Sequence, residues 1–283
     1  MKYETYFKDY LFAIEKFLTE SLPGERQFPS VVHQAMRYAL FPGGKRFRPV
    51  LVLAACEASG GKIGDALAPA AALEFIHSYS LVHDDLPALD NDDIRRDKPA
   101  CHKKFGEAMA ILAGDGLLTM AFQILTQVHS PQKVMLLLDE ISTAAGTCGM
   151  IGGQVADLTT PSEVRSLPML DFISVHKTGK LIKASAVSGA VAAGASKEVV
   201  EALNQYGECL GLAFQAIDDL LDGDGYARLM KGREIRQKVR DLIARAKREI
   251  RPLGKKAERL QYLADFLLQR MPKSTHVAVD RKN

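Results

Sequence analysis

The sequence predicts an all-α protein, on three observations. Apolar residues recur at helical spacing along almost the whole chain. No segment alternates apolar and polar residues between hairpin turns, and no glycine-rich dinucleotide fingerprint or 20–50-residue repeat occurs. Small residues run together, as from 184 to 195, which suits close helix–helix contact. Segments apolar on most faces belong inside a large bundle or at a subunit interface.

The elements follow in order. Phe7, Leu11, Ile14 and Leu18 lie on one helical stripe with charges between them, and Val31, Ala35, Tyr38 and Ala39 repeat the pattern. Gly43-Gly44 breaks the chain before Arg48-Pro49, and proline suits the first turn of the next helix. That helix stops at Gly60-Gly61. A long Ala/Leu-rich helix spans about 65–85, ended or bent by Pro87, and a polar loop covers 90–104. Further helices are predicted over 107–128, 131–156, 166–193, 197–222, 229–251 and 255–269. The polar tail, 272–283, reads as disordered.

A chain of 283 residues holds one large domain or two ordinary ones. With 47% apolar and 25% charged residues it has a soluble globular composition. A net charge of +3 calls for neither nucleic acid nor a membrane surface, and the pI near 8.6 reflects basic residues late in the chain. Cys56, Cys101, Cys148 and Cys209 form no C-x-x-C pair, so reduced core thiols in a cytoplasmic protein are expected. The N-terminus has no apolar signal core, and the Val50–Cys56 run is far too short to span a membrane.

Two acidic clusters sit on predicted helices. The first, H-D-D-L-P-A-L-D-N-D-D from His83, holds Asp84, Asp85 and Asp90; the second, F-Q-A-I-D-D-L-L-D, holds Asp218, Asp219 and Asp222. At about 100° per residue Asp218 and Asp222 share a helical face with Asp219 beside them, while Asp90 must return to Asp84 and Asp85 around the Pro87 turn. Such clusters need water or cations, and hard divalent ions prefer oxygen ligands, so Mg²⁺ is expected. Basic groups complement them: Gly43-Gly44-Lys45-Arg46-Phe47-Arg48, Arg95-Arg96 and Lys177-Thr178-Gly179-Lys180. Glycine-rich turns and helix starts suit phosphate, and several such sites fit more than one diphosphate.

The ordered set G-G-K-R-x-R-P, H-S-Y-S-L-V-H-D-D-L-P-A-L-D-N-D-D-x-R-R, A-G-D, G-G-Q-x-x-D, H-K-T-G and F-Q-x-x-D-D-L-L-D, from about Phe28 to Asp222, resembles the trans-prenyl diphosphate synthases. Within them it is most similar to the bacterial farnesyl enzymes. The resemblance implies one catalytic domain over 1–283, a helical bundle around a deep cavity, a homodimer, and three Mg²⁺ ions (Mn²⁺ as a substitute) held by Asp84, Asp85, Asp90, Asp218, Asp219 and Asp222. It implies isopentenyl diphosphate on Gly44, Lys45, Arg48, His77 and Arg96. The allylic diphosphate falls to Arg95, Lys177, Thr178 and Gln215, with Lys177, Thr178 and Arg95 catalytic. Tyr79, five residues or about 7.5 Å of helix rise before Asp84, and Ser80 beside it match the chain-length position. The implied reaction ionises the allylic diphosphate, and the double bond of isopentenyl diphosphate attacks the carbocation. A geranylgeranyl synthase is the nearest alternative. A terpene cyclase needs no second diphosphate site, and non-catalytic partner subunits tend to lose the aspartates.

The match breaks after Asp222. Family members continue with a loop of some twenty residues carrying two lysines; here Gly223-Asp224-Gly225-Tyr226-Ala227-Arg228 follows directly, and Lys231 is the nearest lysine. Either the loop is short, or a mobile stretch belongs between Asp222 and Tyr226 and is missing from the sequence. The second is the favoured expectation, because lid loops are mobile; an unbroken peptide link there excludes it. A calcium loop is rejected because the EF-hand spacing is absent.

Overall fold

The computed structural model describes residues 2–41 and 43–272. The tail beyond 272, expected to be disordered, lies outside the described residues. Fifteen α-helices are described: α1 Tyr3–Tyr6, α2 Lys8–Ser21, α3 Ser30–Leu40, α4 Phe47–Ala58, α5 Leu67–Asp84, α6 Cys101–Phe105, α7 Glu107–Ile124, α8 Pro131–Ala145, α9 Met150–Thr159, α10 Leu167–Ile173, α11 Lys180–Ala193, α12 Lys197–Asp222, α13 Tyr226–Leu229, α14 Gly232–Glu249 and α15 Glu258–Arg270. A π-helical turn, Ser174–Gly179, joins α10 to α11. Among the described residues the only strands are β1 Ile94–Arg95 and β2 Lys98–Pro99. All-α is therefore the fold class.

The chain divides into two compact units, residues 1–50 with 64–138 and residues 51–63 with 139–283. In the first unit α5 packs on α7, and α2 and α3 cover them. Phe7, Tyr10, Ile14, Leu18, Ala35, Leu40, Leu73, Phe75, Ile76 and Leu117 form its core. The stripes differ slightly from the predicted ones: Tyr10 is buried where Leu11 was expected, and Met36 and Leu40 turn inward rather than Val31. Gly114 of the A-G-D motif explains the closeness of α5 and α7, since a Cβ there would run into the His83 ring. His83 in turn bonds the Ile111 carbonyl at 3.1 Å.

In the second unit α12 is the central helix, flanked by α11 and α14. Ile235, Val239, Ile243 and Ala246 bury one stripe of the otherwise charged α14. Tyr206, inside α12, donates to the Leu260 carbonyl of α15 at 2.6 Å.

Three predicted stretches are subdivided in the structure. The 131–156 helix is two helices, broken at Gly146–Gly149, and 166–193 is interrupted by the π turn. The 90–104 loop contains the β1–β2 ribbon and α6. The chain also runs unbroken from Asp222 to Tyr226: Gly223 caps α12, and the amides of Gly223 and Asp224 both donate to the Asp219 carbonyl. The full sequence itself runs directly from Asp222 through Gly223-Asp224-Gly225 to Tyr226, so the favoured expectation of a missing stretch is corrected and the loop is short.

Two stretches, Glu107–Gln127 and Pro131–Thr159, are long and apolar enough by composition to cross a membrane, although the sequence reading singled out only Val50–Cys56. The second is not one rod. The turn at 146–149 leaves α8 with fifteen residues, about 22 Å, short of a bilayer core. Among the described residues Cys56, Cys101, Cys148 and Cys209 are all free thiols, and only Cys148 is exposed.

Candidate functional site

In the first unit the site is built at the C-terminal end of α5. The Asp90 amide donates to the Asp84 carbonyl at 2.8 Å, and Leu89 and Asn91 both donate to Leu86. The Pro87 turn thus folds Asp90 back onto the helix end, as the sequence requires. Asp85 is buried, and Arg95 locks it: Nε donates to both carboxylate oxygens at 2.9 and 3.2 Å, and Nη2 adds a further bond. Arg95 also reaches Asp92 at 3.2 Å.

Arg95 and Arg96 sit on the β1–β2 hairpin. Arg95 pairs with Lys98 in register, and the two loop residues, Arg96 and Asp97, both have positive φ, as primed two-residue turns require. The turn aims the two arginines differently. Arg95 holds Asp85, while Arg96 donates to the Gly43 carbonyl, and a Cβ on Gly44 would lie 2.8 Å from its Nη1. The G-G-K-R motif and the R-R dipeptide therefore meet, which sequence spacing could only suggest.

Arg46, read from sequence as one of three phosphate-facing cations, is spent inside the protein. It is buried, bonds Glu15 and Glu74 at 2.7 Å each, and donates to the Leu40 carbonyl at 2.8 Å. Lys45 is exposed and Arg48 half-buried. His77 lies on α5 in a cationic setting. Burial, followed by Arg48, Arg96, Arg46 and Arg95, pushes its pKa well below the ordinary histidine value, so the ring is neutral at pH 7. Tyr79 is buried edge-on to His83, 5.7 Å between centroids, and its hydroxyl has no partner among the described residues. Burial, helped by Asp84, raises the Tyr79 pKa to about 12. Ser80 donates back to the His77 carbonyl at 2.9 Å.

In the second unit a cavity of about 220 Å³ is lined by Asp157, Arg165, Lys177, Gln215, Asp219, Asp222 and Asp224, with apolar Leu170 and Ile173. A hydrogen-bonded chain runs beside it. Thr178 Oγ1 donates to Gln215 at 2.7 Å, Gln215 Nε2 donates to Asp219 Oδ1 at 2.7 Å, and the Tyr226 amide donates to Asp219 Oδ2 at 2.9 Å. The π turn matters here, because its extra residue sets Lys177 and Thr178 where Gln215 and Asp157 can reach them. Asp219 is largely buried, and that burial raises its pKa. Gly225 has φ +52°, and any Cβ there would collide with the Asp219 carboxylate, so the short turn needs glycine.

The second acidic cluster is thus divided differently from its helical-wheel reading. Asp219 and Asp222 line the cavity together, while Asp218 pairs with Arg270 of α15 at 2.8 Å. Sequence reasoning missed Asp157, Arg165, Asp224 and Arg270 as individuals. Asp157 was legible as the last residue of G-G-Q-x-x-D; the other three stand outside any motif. Tyr226 is anchored through its hydroxyl to Asp171, which also takes Lys238 at 2.6 Å.

Among the described residues no three carboxylate, imidazole or thiol groups are drawn together tightly enough to hold an ion unaided. The donors nonetheless fit Mg²⁺, which takes one or two carboxylates and completes its octahedron with water and substrate phosphate. All the acidic groups offer hard oxygen, and four carboxylates against two cations leave the 220 Å³ cavity with excess negative charge.

Comparison with known proteins bears on both units. A family model described as Polyprenyl synthetase matches residues 29–245. A dimethylallyltranstransferase of Fischerella ambigua is 43% identical over 86% of this chain and 77% of its own. A chloroplastic geranylgeranyl pyrophosphate synthase of Capsicum annuum is 45% identical over 78% of this chain; the match spans 60% of that longer protein. The crystal structure of an FPP/GFPP synthase from Zymomonas mobilis superimposes with a TM-score of 0.87 at 34% identity, covering 94% of this chain and 98% of the other.

Proposed function

This chain is a prenyltransferase of the polyprenyl synthetase family, and from that premise we propose that it condenses dimethylallyl or geranyl diphosphate with isopentenyl diphosphate to give farnesyl diphosphate. The carrying observation is the division of labour between the two clusters of side chains. At the end of α5 Arg95 holds Asp85, with Arg96 in the same pocket and Arg48 close to His77, whereas the end of α12 shares its cavity with Lys177 and Arg165. One group, Lys45, Arg48 and Arg96 with neutral His77, suits the incoming diphosphate. The other, Lys177 with Thr178 and Gln215, suits the leaving one. We take the two units to work as one catalytic domain, in the cytoplasm.

Asp84, Asp85 and Asp90 in the first unit, and Asp218, Asp219 and Asp222 in the second, would hold Mg²⁺. When bound, it supplies neutralising charge to the diphosphate as the allylic C–O bond breaks. The chain's own residues do the rest. Arg95 fixes Asp85, so that carboxylate needs no reorganisation during the reaction. Lys177, pinned by Asp157, presents positive charge to the leaving diphosphate, and the Thr178 oxygen, whose proton goes to Gln215, keeps its lone pairs for the ionising carbon. The cations of the first unit align the double bond of isopentenyl diphosphate for attack. The released diphosphate takes the final proton, so no protein base is required.

Tyr79 supports a fifteen-carbon product: its ring is buried near the acidic end of α5, where it would limit the growing chain. The relatives bear names of both geranylgeranyl and FPP/GFPP synthases, so a twenty-carbon product is the second reading. We also propose a homodimer. Ile111 and Leu112 on α7 and Met135 and Leu136 on α8 are exposed apolar side chains on helices otherwise hydrophobic enough to want cover.

The test is incubation with Mg²⁺, labelled isopentenyl diphosphate and each allylic primer, followed by product sizing. Farnesyl diphosphate from geranyl diphosphate is expected. No isopentenyl incorporation with any primer defeats the reading; a twenty-carbon product defeats only the Tyr79 argument.

A further inference from the structure

Lys177 shares its carboxylate partner with a second cation that no motif announces. Asp157 carries one cation on each carboxylate oxygen: Arg165 Nη2 at 2.9 Å from Oδ1 and Lys177 Nζ at 2.6 Å from Oδ2. Both cations line the 220 Å³ cavity together with Asp219 and Asp222. We propose that Arg165 is a diphosphate-binding residue of this enzyme, held by Asp157 as the second half of a two-cation grip with Lys177. The proposal rests on the prenyltransferase reading above and adds a residue to its leaving-group site.

Three observations carry it. The first is the valence of the guanidinium. Nε donates to the Thr160 carbonyl at 2.9 Å, and Nη2 serves both the Asp157 carbonyl at 2.6 Å and its carboxylate. Among the described residues Nη1 meets no acceptor, so two N–H donors remain on a group whose position is already fixed. Lys177 has the same surplus: one ammonium hydrogen goes to Asp157 and two remain. A diphosphate offers the oxygens that such a fork and point charge match.

The second is charge. Asp157, Asp219, Asp222 and Asp224 line the cavity, and among the described residues its only cations are Arg165 and Lys177. A diphosphate entering there meets repulsion from four carboxylates, which metal ions and these two side chains must offset. Removing one of two protein cations should therefore be felt strongly.

The third is the absence of another candidate nearby. The turn 223–227 contains no Lys or Arg. Arg228 is occupied by Asp224 at 2.6 Å, and Lys238 is held by Asp171 and lies over the Tyr226 ring at 4.1 Å. The short turn therefore brings no cation of its own to the cavity, and Arg165 comes from the other side of the sequence, between α9 and α10.

The bland role for Arg165 is a staple that ties the 160–165 loop to the carbonyls at the end of α9. The two roles separate experimentally. Binding of inorganic diphosphate in excess Mg²⁺ is measured by calorimetry on the wild-type protein, Arg165→Met and Arg165→Lys, alongside steady-state kinetics for both substrates and thermal melts. We expect Arg165→Met to weaken diphosphate binding and to raise KM for the allylic substrate by roughly tenfold or more. KM for isopentenyl diphosphate should stay within about twofold, and Arg165→Lys should restore most of the loss, since it keeps the charge while giving up the fork. Unchanged diphosphate binding in Arg165→Met overturns the proposal. So does an equal loss for both substrates that tracks a lowered Tm and is no better in Arg165→Lys, which is the behaviour of a staple. If Arg165→Met does not fold, the Arg165→Lys arm decides alone: near-normal diphosphate binding despite a lowered Tm supports the grip, and a parallel loss of both overturns it. The wild-type arm tests the underlying reading separately, because a prenyltransferase must bind diphosphate and incorporate isopentenyl units whatever Arg165 does.

Discussion

Arg270, the last residue of α15, donates to Asp218 over 2.8 Å and lies across the Phe214 ring at 4.7 Å. A carboxylate proposed as a metal ligand is thus already paired with a cation from the far end of the chain. The pair has two consequences. It ties α15 to α12, and it sets a competitor against any divalent ion approaching Asp218. Arg270→Ala should lower Tm by roughly 2–4 °C, the equivalent of about 1 kcal/mol from a part-exposed ion pair and a cation–π contact. The same change should lower the Mg²⁺ concentration needed for half-maximal activity, because Asp218 gains net negative charge. A rise in that concentration would show instead that Arg270 helps to place Asp218 for metal.

Replacing Asp84 or Asp218 with alanine should cost far more in kcat than in isopentenyl KM. Both carboxylates are assigned to the leaving side of the reaction, where charge develops only as the C–O bond breaks. Single-turnover rates and isopentenyl binding, measured together, check this. Loss of isopentenyl binding as the main effect of either substitution would mean that the sides are assigned wrongly.

His77 gives a pH prediction with a definite sign. Its folded pKa is depressed by burial and by Arg48, Arg96, Arg46 and Arg95. The unfolded ring takes up a proton near pH 6.5, whereas the folded one resists. Its contribution to stability is therefore intact above about pH 6.5 and lost as pH falls toward the folded value, by roughly 1.4 kcal/mol per pH unit in that window. Urea midpoints followed downward from about pH 7 should fall more steeply for the wild type than for His77→Gln. Parallel slopes would place the His77 ring in water, away from the arginines.

How legible all this was depended on the range of the interaction. Helical periodicity is local, so α2, α5, α7, α12 and α14 are readable from side-chain spacing alone. The return of Asp90 to Asp84 was also readable, because Pro87 forces a turn within a few residues. Interruptions were harder. The 131–156 stretch keeps helical apolar spacing on both sides of 146–149, so Gly146 and Gly149 are the only local marks of the break, and nothing in the periodicity marks a π turn at Lys177. Least legible were pairings set by tertiary contact. Arg46 and Arg48 stand in one motif, yet only Arg46 is consumed by Glu15 and Glu74, residues far from it in sequence. Arg165 and Arg270 carry no local signature, and their roles appear only once Asp157 and Asp218 are seen beside them.

Tyr79 supplies the last prediction, since its ring and its hydroxyl can be separated. The hydroxyl is buried with no partner among the described residues, a costly arrangement for a polar atom. Tyr79→Phe should therefore be at least as stable as the wild type and should leave product length unchanged, since the ring stays. Tyr79→Ser removes the ring. The residue is 5% exposed, so the cavity left behind should cost about 3 kcal/mol in unfolding free energy. If the ring limits chain growth, the freed volume lies along the path of the lengthening hydrocarbon, and products should gain at least one five-carbon unit whatever the wild type makes. Chromatography of dephosphorylated products from the three proteins, run at equal turnover, distinguishes the cases. Unaltered length in a folded, active Tyr79→Ser enzyme would reduce Tyr79 to core packing against His83, and the floor of the cavity would have to be sought elsewhere.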